Sequence, residues 1–116
     1  MSDQEQQIQE LEITIADARK AVELGNALNR LSDNKDFKLI IGDGYLKEFA
    51  LGQMELLAHP NMQDEEAQAG IIKDLQATSS LHAHFVSIMQ RAATMQTALT
   101  EQEQTLEEIH NEEGEA

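Results

Sequence analysis

From Ile71 to Ile109 one stripe of side chains recurs at steps of three and four, and no glycine or proline interrupts it. Its members are Ile71, Leu75, Thr78, His82, Phe85, Met89, Ala92, Met95, Leu99, Gln102, Leu106 and Ile109. This period places a single seam along an α-helix and is incompatible with the two-residue alternation of a strand. A periodic stretch of such length without a stop signal is coiled-coil-like. The successive steps of three around Ala92 and Met95 form a stammer. The helix is expected to begin at Asp64-Glu65-Glu66, whose acids suit the positive end of the helix dipole. Over 64–110 it would make a rod of about 69 Å at 1.5 Å per residue. Residues 111–116 are expected to form a disordered acidic tail.

A helix this narrow in its apolar stripe needs others to cover it. The segment 4–31 supplies one, with Ile8, Leu11, Ile15, Ala18, Ala21, Leu24, Leu28 and Leu31 at heptad-like steps and Val22 and Gly25 widening the stripe. Ser32-Asp33-Asn34 then carries the side-chain oxygens that cap helix N-termini. A second helix is predicted over 35–58. Phe37, Ile41, Tyr45, Phe49, Gly52 and Leu56 line one face, flanked by Ile40, Leu46 and Leu57. Gly42 and Gly44 leave two readings, one helix or a break at Gly42-Asp43-Gly44. One helix fits better, because the apolar phase carries through the glycines. Pro60 ends it and pushes His59 out of helical geometry. Short links make neighbouring helices antiparallel. The fold class is therefore all-α: an elongated hairpin or bundle of about three helices with coiled-coil-like seams, forming a single domain over 1–110.

Composition supports this and excludes much else. Apolar residues make up 41% but aromatics only 3%, which suits helices and is poor for a sheet. A core with three Phe, one Tyr and no Trp is thin, so self-association is expected to contribute to stability. No apolar run approaches the roughly 20 residues that span a bilayer, and Met1-Ser2-Asp3-Gln4-Glu5-Gln6-Gln7 does not read as a signal peptide. With no Cys there are no disulfides, thiolate metal sites or thiol nucleophiles.

The net charge is −14, with 22 acids against eight bases. Direct nucleic-acid binding, which needs Lys and Arg to displace counterions, is not expected. Residues 1–18 hold five acids and 101–116 hold seven, with no Lys or Arg in either stretch, so the middle is near neutral at −2. If the termini meet, Glu5, Glu12, Glu101, Glu107 and Glu108 contribute to one acidic end. Such an end is either a pair of solvated helix termini or a surface that docks on a basic partner.

Catalytic and metal signatures are weak. His82 and His84, two apart, point in nearly opposite directions on a helix. His82 falls on the seam, where a polar specificity residue is the better reading than a metal ligand. His59 and His110 have no partner at ligand spacing; Glu107 and His110 form one Glu-x-x-His step, where a di-iron bundle needs two. Gly42-Asp43-Gly44 lacks the preceding strand and the Gly-Lys-Ser/Thr ending of a phosphate loop. Ser79, Ser80 and Ser87 have no His–Asp constellation. Met54, Met62, Met89 and Met95 read as core rather than as an adaptable binding surface. No enzyme, cofactor or metal is expected.

The run Leu31-Ser32-Asp33-Asn34-Lys35-Asp36-Phe37-Lys38, then Leu56-Leu57-Ala58-His59-Pro60, an acidic helix start and a long Gln/Ala/Leu-rich helix, resembles small helical proteins of tailed bacteriophages. The resemblance covers roughly residues 28–109. Gly42 and Gly44 depart from it, since ordinary helix formers stand there in the pattern. It implies a phage-encoded protein acting through helix-mediated assembly, as a virion component or an assembly or scaffolding factor, located in the virion or the host cytoplasm. Expected partners are further copies of the chain and phage structural proteins. The seam residues that would carry the contacts are Ile8, Leu11, Ile15, Leu28, Phe37, Phe49, Ile71, Leu75, His82, Phe85, Met89, Leu99 and Leu106. The acidic balance supports an alternative: an inhibitor that mimics DNA towards a host nucleic-acid-binding protein. Against that alternative, a mimic spreads its acids at phosphate-like spacing, whereas here they cluster at the two termini.

Overall fold

A computed structural model describes residues 2–115; Met1 and Ala116 lie outside the described residues. Three main helices account for the described chain, with no strand among its elements. Helix α1 is Asp3–Ser32. Helix α2 occupies 35–57 without a break, as an α-turn at Lys35–Phe37, a π-helical stretch at Lys38–Phe49 and an α-helical stretch at Ala50–Leu57. After a 3₁₀ turn at Pro60–Met62, helix α3 runs Glu65–Glu115, 51 residues.

Each helix start is capped by the type of side chain expected of it. Ser2 Oγ accepts from the Glu5 N–H, Asn34 Oδ1 from Phe37 at 3.0 Å and Asp64 Oδ2 from Ala67 at 3.1 Å. The carbonyls left open at the end of α2 are also satisfied. Gln63 and Gln68 donate their side-chain amides to the Leu57 oxygen, at 2.9 and 3.1 Å, and hold the turn around Pro60.

The chain divides into two compact units. The first joins α1 up to Ala27 with α3 from Ile88 onward. Ile15, Ala18 and Leu99 form its core, with Leu11, Val22, Met95 and Leu106 packed around them. The segments run antiparallel, with Leu11 and Leu106 towards the chain ends and Gly25 beside Ala92. A Cβ added at Gly25 would overlap that of Ala92, so the missing side chain is what lets the backbones approach.

The second unit is Leu28–Ser87. There α2 and the first part of α3 form another antiparallel hairpin. The Phe37 and Phe85 rings meet edge-on at 5.9 Å between centroids, and at the other end Gln53 donates to Asp74. Ile71, Thr78 and Leu28 are buried; the Thr78 hydroxyl is satisfied by the Asp74 carbonyl at 2.9 Å.

Four expectations need correction. Leu24 and Leu31 are 53% and 43% exposed; Gly25 takes the inward position because only a glycine fits against Ala92. His82 is exposed, and Leu81 occupies the seam step between Thr78 and Phe85, which keeps the imidazole in water at no cost to the period. Helix α3 does not stop near residue 110 but continues to Glu115, beyond a buried Ile109 that anchors its last turns. In α2, Phe49 and Gly52 leave the inward face. The i→i+5 bonds of the π stretch hold more residues per turn than an α-helix, so on return to α winding the phase has shifted, and Ala50, Gln53 and Leu57 take over.

The glycines fit that winding. A Cβ on Gly44 would lie 2.7 Å from the Leu39 carbonyl oxygen, so the bare backbone permits this turn. Gly42 meets nothing within 4 Å.

Candidate functional site

The chemistry of the described side chains is concentrated in two surfaces, one on each unit. The first is the exposed surface of α2. Leu39 is 70% exposed and Ile40 64%, and Phe49, Leu51 and Met54 are open to solvent as well. Among the described residues, eight of the ten exposed large apolar side chains belong to the second unit, although its residues are only about half of the chain. Phe49 stacks on Tyr45, centroids 5.5 Å apart, and shields part of that ring while remaining open itself. α2 is packed on one side only, and its exposed surface mixes these apolar side chains with Lys35, Lys38, Asp43, Lys47, Glu48 and Glu55.

Beside this surface, Leu46, Ala50 and Met54 of α2 and Leu75, Thr78, Ser79 and His82 of α3 line an open groove of about 300 Å³. The groove is mainly apolar, with two hydroxyls and one imidazole on its α3 wall. Among the described residues, no three His, Asp or Glu side chains converge as a metal-holding group. His59 Nδ1 is engaged in accepting from the Asn61 N–H.

The second surface is the end of the first unit where α1 begins and α3 finishes. Glu5, Glu12, Glu101, Glu107 and Glu108 are all exposed, as the helical pattern predicts. Because the two segments pack antiparallel, the five acids of residues 1–18 and the seven of residues 101–116 belong to one unit, with no Lys or Arg in either stretch. Among the described residues its one ion pair joins the Arg19 guanidinium to Glu103 at 2.9 Å. That bridge is exposed on both sides, so it contributes little. Inward from it, Gln102 faces the seam with its Oε1 buried and unpartnered.

The seam residues divide accordingly. Ile15, Leu28, Ile71 and Leu99 are buried. Ile8, Leu11, Phe37, Leu75, Phe85, Met89 and Leu106 are half-buried, and Phe49 and His82 are exposed. The structure thus uses most of the seam within the chain, and among the described residues α2 holds five of the ten exposed large apolar side chains. Leu39 and Leu51 were missed because they lie off the predicted stripe; the readable signal was the number of apolar residues in 37–57 beyond those that one stripe needs.

No helix among the described residues is long and apolar enough to cross a membrane. No family model, curated protein or solved structure matches the chain.

Proposed function

We propose that this is a non-enzymatic helical protein that works by assembly, binding further copies of itself and structural partners through exposed helix faces. The observation that carries the reading is the exposed surface of α2, where Leu39, Ile40, Phe49, Leu51 and Met54 are held in water by a helix with a satisfied N-cap. Exposing so much apolar surface is unfavourable unless a partner covers it, at about 25 cal/mol per Å². The likeness of residues 28–109 to small helical proteins of tailed bacteriophages supports a virion component or an assembly or scaffolding factor. Light scattering at micromolar concentration tests the core of this: an oligomer is expected, and a monomer at every concentration would overturn it. Capture from phage-infected lysate then tests the setting, with capsid, portal or tail proteins expected.

The acidic end favours a second reading, in which carboxylates gathered from both termini engage a basic protein surface, as an inhibitor mimicking DNA does. Recovery of a host nucleic-acid-binding protein in that capture, lost at high salt, would support it over assembly.

A further inference from the structure

We propose that the outer side of α2 is a two-fold, antiparallel interface with a second copy of this chain. The inference rests on the assembly reading and names the partner, the orientation and the register. At four-residue steps along the helix stand Lys35, Leu39, Asp43, Lys47, Leu51 and Glu55, and all six are exposed. Reversed end for end, the row matches itself: Lys35 meets Glu55, Leu39 meets Leu51 and Asp43 meets Lys47. That is the demand of an isologous interface, in which residue i touches j and j touches i.

The π stretch turns these positions into one face. With 3.6 residues per α-helical turn, a step of four overshoots, and the row would spiral around the helix. Between Lys38 and Phe49 the i→i+5 bonds widen the turn, so there the same step falls short. The opposing drifts keep the row on one side. Its charges are also unspent. The one ion pair among the described residues is Arg19–Glu103, so Asp43 and Lys47 do not bridge each other despite their spacing. Opposite charges across a helix pair fix register and orientation, and the two leucines supply the buried contacts between them.

Charge reversal tests the register. In D43K both central positions are basic, and in K47D both are acidic. Each variant alone sets like charges against like, twice by symmetry, and should dimerise at least about tenfold more weakly than the parent by sedimentation. Mixed in equal amounts the two should recover a dimer, now a heterodimer. The chain has no Cys, so single cysteines test the orientation independently. L39C and L51C should form a disulfide only when mixed. Two copies of position 39 are offset by the whole helix length from 39 to 51 in the antiparallel pair, about three turns, well beyond the roughly 4.4–6.8 Å between Cα atoms that a disulfide spans.

A disulfide within L39C alone would overturn the antiparallel register. A parent that dimerises while both charge variants dimerise equally well would overturn this face and leave the assembly reading standing. A parent that stays monomeric would overturn both.

Discussion

Gly25 is a residue whose role is set by what it lacks. On its own helix, alanine there would be favoured by about 1 kcal/mol. Against Ala92 the added methyl has no room, and overpacking of this kind costs typically 1–3 kcal/mol. Gly25→Ala is therefore expected to lower the melting temperature, and adding Ala92→Gly should restore most of the loss; circular dichroism melts of the single and double variants check this. The pattern could not separate Gly25 from Leu24, since both fit a stripe of threes and fours and leucine is the more apolar. What decided between them was the distance between two backbones, which one chain's periodicity does not contain. His82 and Leu81 were confused for the converse reason: steps of four then three and of three then four fit the seam equally, and desolvation of the imidazole settles the choice.

At the scale of the element, the starts of α2 and α3 were legible, because the caps are written in Asn34, Asp64 and Pro60. The winding of α2 was not. Gly42 and Gly44 signalled something unusual, but glycine spacing does not distinguish a break from a wider turn. The two positions now make different predictions. Gly42→Ala meets open space and should stabilise the helix by up to about 1 kcal/mol. Gly44→Ala forces the Leu39 carbonyl to move, so its gain should be smaller or reversed. Amide exchange across 38–49, read with the melts, checks whether the i→i+5 bonds survive. The α2–α3 contact is tested through its aromatic pair. Phe85→Ala should cost about 2–3 kcal/mol, below the full range for a buried Phe because the ring is half-buried. Combined with Phe37→Ala in a double-mutant cycle it should show a coupling of about 0.5–1.5 kcal/mol. A melt of Phe85→Ala matching the parent would refute the pairing.

For the whole molecule, charge is the organising quantity. Thirteen acids and three bases fall in the first unit and nine acids and five bases in the second, so the units carry −10 and −4. The first unit thus folds against its own repulsion, relieved by one exposed bridge. Raising salt from about 10 mM to 150 mM, which shortens the screening length from about 30 to 8 Å, should raise the melting temperature. Replacing Glu107 and Glu108 by Gln together should change stability by no more than about 0.5 kcal/mol, since both are exposed and solvated. Thermal melts across a salt series, on parent and variant, measure both effects. The clustering of acids at the termini was readable from the chain, and the antiparallel pairing follows from the short links. The division into two units was not legible, because α3 carries its seam through Ser87 and Ile88 without any change of period.

The wide turns of α2 also bear on how this chain tolerates changes in its own length. Loss of one residue from an α-helix rotates everything beyond it by about 100°, which drags a packed seam out of phase. In the stretch Lys38–Phe49 the chain has a spare residue per turn, and a deletion there can be absorbed by one turn tightening from i→i+5 to i→i+4 bonding. Natural versions of this chain should therefore differ in length inside α2 while keeping α1 and α3 constant. A version lacking Gly42 should keep the Phe37–Phe85 contact, with one turn of the stretch returned to i→i+4 bonding.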